Sequence, residues 1–515
     1  MGQNKNLILD VEESPKKISE WIVLAIQHVL AMFVACITVP LLVFVGPLTV
    51  GEGFANAGAK VGYINLYGSS LAQTMIAPTL AAAGIGTLIY LVLTKLKSPV
   101  FLASSFAYIA PMSGALALGA VPAAMGADGT AHAAMAGETV VGFFGNLWAL
   151  PIGMAMVGLV YVVVAIIIRF AGVAWLNKLL PTIVIGPVIM VIGLGLSASA
   201  VSNLASASGN GSSYNLLAIL SGLVGMVVTA LCAHYGKKTL SLIPFVMGML
   251  AGYVTASLFT AIGYYGCGNE YFCIVDFSPI VNNFTNISVR SFLDYPSFLF
   301  LPENFQAAAP VTGSQIGSIA LLFIPVSLVT ICEHIGDHKN LSAIISRDLL
   351  TEPGLSRTLI GDGLATAMSG LMCGAANTTY GENVAVVGVT KIASVKVIIL
   401  ACAMSILLGF LSPIMSVVET IPACVTGGVS LLLYGFIAAS GVKMLINERV
   451  DMSKTKNIFV ASTILVAGIG GLVISFAAGD TSITITSTAV AMILGIIMNV
   501  ILKDKKEEQP KVSEK

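Results

Sequence analysis

Apolar runs of membrane-crossing length recur along almost the whole chain, and this recurrence limits the fold more than any other feature. A bilayer core roughly 30 Å thick is spanned by about 20 residues of α-helix. Apolar runs fall near residues 22–45, 70–94, 100–117, 141–168, 180–200, 215–235, 240–263, 316–342, 358–374, 377–390, 395–417, 421–441, 457–478 and 483–502. Backbone in hydrocarbon has no water to bond, so each run is expected to be helical. The third and tenth runs are short. Charged residues make up only 10% of the 515 residues, against about 25% in soluble domains, too few to cover a water-facing surface. The expected fold class is therefore an all-α polytopic membrane protein. A formal net charge of zero gives no basic field for nucleic acid. The stretch from Met1 to Glu20 is polar and leads into a long run without a small-residue exit, so no cleavable signal is expected.

The basic residues give the orientation. With fourteen crossings and the N-terminus inside, all but Lys60 and Arg290 of the 25 Lys and Arg fall on the cytoplasmic side. Basic residues mark that side of a membrane. Omitting one short run would invert every later loop and destroy the asymmetry, so both are expected to cross or to fold back as a matched pair. Six of the eight cysteines lie in or beside apolar runs, where Cys is a small core residue. None has metal-site spacing; Cys267 and Cys273 share one polar loop, and spacing alone leaves a disulfide open.

The polar stretch 264–313 separates seven runs from seven, so the two halves are expected to insert with opposite topology, as in many secondary transporters. The third run of each half is interrupted, by Ser104-Ser-Phe-Ala-Tyr108 with Pro111 and by Asn377-Thr-Thr-Tyr-Gly-Glu-Asn383. Such matched interruptions point to a midplane site. Each is expected to be an extended stretch leading into a half-helix whose first amides are free to meet a ligand.

Two acids stand out. Glu333 ends the apolar run Ile319–Cys332, and Asp337 lies one turn on, sharing its face. Intramembrane acids are costly and mark ion or substrate paths; two on one face repel when both are ionised, which suits a proton relay. Glu382 follows Gly381 at the start of the second half-helix, where a carboxylate also has a plain capping use. His334 and His338 form a second pair one turn apart, but the order differs from His-Glu-x-x-His and no third ligand is evident, so no metal is expected. His338, beside Lys339, is expected to be solvated. Gln27 and His28 interrupt the first run. Asp362, within Gly361-Asp-Gly363, is expected to pair with Arg357 in a structural role. Buried acids facing amide donors suit a neutral flat molecule with alternating N–H and C=O edges, and they disfavour an anion.

These motifs resemble the nucleobase–ascorbate transporter family, and its bacterial uracil-carrying members in particular. The likeness rests on Asn377–Asn383 continuing to Thr390-Lys391, on Gln27-His28, Ser104-Ser-Phe-Ala, Glu333-His-Ile-Gly and Gly427–Gly435, and it covers roughly residues 22–502. The resemblance implies fourteen segments in two inverted repeats. A core domain would comprise 22–170 and 314–418, and a gate domain 171–263 and 419–502. A linker would span 264–313, with cytoplasmic tails at 1–21 and 503–515. It implies uracil bound by Glu333 and Glu382, with the amides of Phe106 and Gly381 donating to its carbonyls and His28, Tyr380 and Tyr434 close by. It further implies uptake with a cation across the bacterial inner membrane by a homodimer that is not an enzyme and has no cofactor. Glu333 and Asp337 would carry the coupling proton. Asp337 stands where a proton-coupled member has His, which leaves Na⁺ open beside H⁺, and Ala385 stands where the signature has Gly, a change that would tighten helix packing or shift selectivity. Xanthine or uric acid is the alternative cargo; Glu382 replaces the Gln of purine carriers and favours uracil. A membrane-embedded aspartyl protease is the remote alternative, because the Gly-x-Gly-Asp order is absent around Asp362. The loops 118–140 and 264–313 have no evident role.

Overall fold

The computed structural model describes residues 7–44, 48–206, 214–478 and 481–502; the C-terminal tail at 503–515, with its lysines, lies outside them. The helices that build the body are α1 (Ile18–Val43), α2 (Ile76–Leu93), α3 (Ile109–Ala117), α4 (Ala149–Ala171), α5 (Thr182–Gly195), α6 (Leu216–Tyr235) and α7 (Pro244–Ala261). They continue with α8 (Gly313–Ile345), α9 (Leu355–Leu371), α10 (Gly381–Thr390), α11 (Val395–Phe410), α12 (Ala423–Asn447), α13 (Thr455–Ile469) and α14 (Ser487–Ile501). Among the described residues, eight helical stretches are long and apolar enough to cross a membrane. The fold is predominantly helical and polytopic. Its outer faces carry exposed apolar side chains, such as Leu159, Val163 and Phe170 on α4, which a bilayer accommodates and water does not.

Extensive packing divides these helices into two groups. α9 lies against α4 and α2, α11 against α2 and α1, and α8 against α4; separately, α12 packs on α5 and α6, α6 on α7, and α13 on α5 and α14. Within lipid, helices associate by close backbone approach at small residues. A Cβ at Gly428 of α12 would lie 2.0 Å from the carbonyl oxygen of Gly222 on α6. In the other group, a Cβ at Gly158 of α4 would lie 2.8 Å from the carbonyl oxygen of Gly363 on α9.

The strands that accompany the helices include β1 (Leu102–Ser104), β2 (Val121–Met125), β3 (Ala131–Ala133), β4 (Gly142–Phe144), β5 (Asn377–Thr379), β6 (Ile474–Ala478) and β7 (Thr481–Ile485). The loop 118–140 and the start of the run 141–168 form a three-stranded sheet of order β3-β2-β4. The runs 457–478 and 483–502 are helical only in part, because β6 and β7 pair as an antiparallel hairpin between α13 and α14. The period-two alternation Ser482-Ile-Thr-Ile-Thr486 is the local cause: β-branched residues in alternation favour a strand.

The interruptions form the centre of the molecule. β1 and β5 pair antiparallel, with Leu102 opposite Thr379, Ala103 opposite Thr378 and Ser104 opposite Asn377. The Ser105 amide extends the ladder to the Ala376 carbonyl at 2.8 Å. A two-stranded ribbon leaves edge groups unpaired, and in a dry interior these need partners. Hydroxyls supply them. Thr87 and Thr79 of α2 accept from the Leu102 and Ala375 amides at 2.9 and 3.0 Å. From α9, Thr366 donates to the Asn377 carbonyl at 2.5 Å and Ser369 to that of Ala375.

Candidate binding site at the paired strands

The ribbon ends where two short helices begin. β1 leads through a tight turn at Phe106–Tyr108 into α3, and β5 leads through Tyr380, in extended conformation, into α10 at Gly381. The first amides of a helix have no intrahelical acceptor, so the amides near Phe106 and Gly381 are donors set beside the ribbon.

The acidic face of α8 meets the start of α10. Glu333 and Asp337 are one turn apart, and Asp337 Oδ1 lies 3.4 Å from where a Cβ on Gly381 would be. Glu382 occupies the first turn of α10. Glu333, Asp337, Gly381 and Glu382 are each half-buried, whereas their neighbours Cys332, His334, His338, Tyr380 and Asn383 are buried. The four therefore form a partly accessible patch among buried neighbours. Asp337 and Glu382 both act electrostatically on Glu333, Tyr380 lies beside the Glu382 carboxyl, and Asp337 adjoins Thr379. Three carboxyls in this space repel one another when ionised, and protons or N–H donors relieve the repulsion.

The other predicted residues lie on neighbouring elements. The ring of Phe106 meets that of Tyr434, on α12, edge to face at 5.6 Å between centroids. This contact joins the two helix groups. His28 of α1 is buried, with Nδ1 3.0 Å from Asn383 Oδ1. An amide oxygen only accepts, so Nδ1 carries the proton and fixes the ring. Asn383 was not among the predicted site residues, although its place in the signature run made it legible. Ala385 is exposed on α10 and so does not tighten helix packing.

Two expectations need correction. His338 is fully buried: Tyr90 of α2 holds Nε2 at 2.6 Å, and Nδ1 donates to the His334 carbonyl at 2.8 Å. Asp362 bonds not to Arg357 but to His334 Nδ1, at 2.7 Å, and His334 Nε2 meets Thr358 Oγ1 at 3.0 Å. The two imidazoles stack at 4.0 Å. The cause is register. α9 lies alongside α8, so the residue one helix turn past Thr358 faces α8, while Arg357 points elsewhere. These groups form a polar cluster behind the acidic face. Among the described residues no group of three or more His, Cys, Asp or Glu is arranged to hold a metal, and Cys267 and Cys273 are both free thiols.

Comparison with known proteins adds the following. The permease family described as Xan_ur_permease matches residues 19–476. The uracil permease of Bacillus caldolyticus is 37% identical over 495 residues, covering 96% of this chain and 94% of that protein. The uracil permease of Bacillus subtilis (strain 168) is 34% identical over 512 residues, covering 99% and 98%. Among solved structures, the inward-facing murine Solute Carrier 26 family member A9 anion transporter superposes with a TM-score of 0.59 at 11% identity, covering 95% of this chain and 69% of that one. At that identity the likeness concerns the fold alone.

Proposed function

The chain belongs to this permease family, and from that membership and the site described above we propose that it imports uracil together with a proton by alternating access. The carrying observation is the acidic face of α8 set against the start of α10, beside a second half-helix at Phe106. Uracil offers ring N–H groups that donate to the carboxylates of Glu333 and Glu382. Its carbonyls accept from the amides of Phe106 and Gly381. Phe106 and Tyr434 supply apolar walls, while His28, through Asn383, and Tyr380 hold the start of α10 in position. Pairing every polar edge of a ligand is what makes such a site selective, because an analogue lacking one leaves a buried group unpaired.

Coupling follows from the acids. A proton taken up by Glu333 or Asp337 removes one of three mutually repelling charges and changes the hydrogen-bond pattern offered to the ring. Substrate and proton affinities are then linked. The fourteen segments are read as two inverted repeats, with a core domain over 22–170 and 314–418 and a gate domain over 171–263 and 419–502; the division of the helices into two packing groups supports this. Movement of one group past the other would expose the site to each side in turn. The chain acts in the bacterial inner membrane as a homodimer with cytoplasmic termini, an orientation supported by the distribution of Lys and Arg.

The test is labelled-uracil uptake at several pH values, in cells lacking their own permease, with a proton ionophore as control. Uptake should rise at acidic pH and collapse with the ionophore, and Glu333→Gln should lose both affinity and pH dependence. Unchanged affinity and pH dependence in Glu333→Gln would refute this mechanism. Uptake driven by a sodium gradient would reassign the ion to Na⁺, and competition by unlabelled xanthine rather than uracil would reassign the cargo.

A further inference from the structure

The linker between the two halves contains a segment whose composition does not fit a loop in water. Residues 277–300 include six aromatic side chains and only two charges, Arg290 and Asp294. Yet its large apolar residues are not folded inward. Val281, Ile287, Val289, Phe292 and Phe300 are between 53% and 78% exposed.

The segment is also firmly held. The Asp294 amide donates to the Phe410 carbonyl at 3.0 Å, Leu293 bridges to Leu411, and Ser412 Oγ donates to the Arg290 carbonyl at 2.7 Å. Phe298 meets Phe410 at 6.5 Å. The helix Ser278–Thr285 packs on the helix Ser412–Glu419. The exposed apolar side chains therefore sit on a fixed backbone, on its outward side.

Its place in the fold indicates what covers that side. Ile399, Ala403 and Leu407 are exposed on α11. Spaced four apart, they form one stripe, the lipid-facing stripe of a membrane helix. The stripe runs to Phe410, and the linker segment is attached at that residue. Aromatic side chains collect at the level where hydrocarbon meets headgroups. The Arg290 guanidinium lies 5.0 Å over the Tyr295 ring, an arrangement that keeps an apolar face below a charge able to reach the headgroups. Within the segment, Asn283 Nδ2 donates to the Ser291 carbonyl at 3.0 Å.

We propose that residues 277–300 form an interfacial membrane anchor lying flat in the headgroup layer of the leaflet that faces the linker, with Ile287, Val289 and Phe292 among the acyl chains. Buried only a short way, about 5–10 Å below the headgroup boundary, the segment would join the end of α11 to the membrane surface. Because α11 packs on α2, one of the helices that cap the ribbon, the anchor would tie the site-bearing helix group to the bilayer.

The experiment uses the full chain in proteoliposomes, with Val289→Trp and Phe292→Trp each compared with the parent protein and with Glu52→Trp, a reference at an exposed loop position. The lipids are phosphatidylcholines brominated either near the headgroup end or near the methyl end of the acyl chain. The added emission at 289 and 292 should be blue-shifted, lose more intensity to the shallow bromines than to the deep ones, and resist iodide; Glu52→Trp should respond to iodide alone. Quenching of 289 and 292 by iodide with no effect of brominated lipid would overturn the proposal and leave the segment in water. Resistance to both quenchers, varying with the protein-to-lipid ratio, would also overturn it and assign the surface to a second copy of the chain. Val289 is 78% exposed and Phe292→Trp keeps an aromatic ring, so neither change threatens the fold.

Discussion

Removing His334 should destabilise the protein far more than removing most buried side chains of its size. His334 and Asp362 are both fully buried, and their atoms meet at 2.7 Å. In His334→Leu the Asp362 carboxyl loses that partner and stays buried. Breaking a buried pair from one side costs about 3–5 kcal/mol. Asp362→Leu is milder: the imidazole keeps Thr358 and loses one hydrogen bond, a cost of about 1–3 kcal/mol. The double variant removes both polar groups, and a buried pair replaced by apolar residues of similar volume is often nearly neutral. The cycle should therefore be strongly non-additive, with the double variant more stable than His334→Leu alone. For a chain of this length, 1 kcal/mol corresponds to about 1–2 °C in melting temperature, extrapolating the size trend, so His334→Leu should melt about 3–10 °C below the parent. Thermal aggregation in detergent, read by size-exclusion chromatography after a fixed heating time, ranks the four proteins. Additivity within about 0.5 kcal/mol would show that the two groups do not act as a pair.

Two further outcomes rest on a close backbone approach and on a surface ion pair. Gly428→Ala should separate α12 from α6, because the new methyl would lie 2.0 Å from a backbone oxygen; a loss of at least about 1–3 kcal/mol is expected, while Gly435→Ala, with nothing within 4 Å, should melt like the parent. Glu352 lies in the turn between α8 and α9, and the Lys97 ammonium, from the loop after α2, holds its carboxyl below its ordinary 4.5. A depressed carboxyl stabilises the fold when ionised and loses the contribution as pH falls through its folded value. Lys97→Ala should therefore melt slightly below the parent at neutral pH and together with it well below pH 4.5, and the difference should be small because the pair is largely exposed.

Much of the helical frame was legible because lipid makes one signal dominant. The runs at 22–45, 215–235, 316–342 and 421–441 correspond to α1, α6, α8 and α12. Where the chain leaves hydrocarbon or helix geometry, the signal weakens. The end of the run 457–478 and the start of the run 483–502 are apolar, and apolarity alone does not distinguish a helix from a hairpin; the alternation at 482–486 carried that information. The three-stranded sheet at 121–144 has short strands rich in Ala and Gly, whose strand preference is weak.

The same contrast explains which polar residues stand out in the sequence and which were misplaced. Glu333 and Glu382 were conspicuous because an acid in an apolar run has no inexpensive explanation, whatever its partners. His338 and Asp362 were misjudged because each had an apparently sufficient one: a neighbouring lysine at a helix end, or an arginine five residues away. Near a helix end, distance along the chain says little about depth. What fixes depth there is the partner on another helix, and Tyr90 is 248 positions from His338 in sequence. Local sequence can announce an unpaired charge, but it cannot announce a pair whose halves lie on α2 and α8. The hydroxyls of Thr79 and Thr87 show the same limit. In isolation they are ordinary helix threonines, and they acquire a purpose only when the ribbon lies against them with its edge amides unpaired. The interruptions were therefore readable in advance, whereas the side chains that make them tolerable were not.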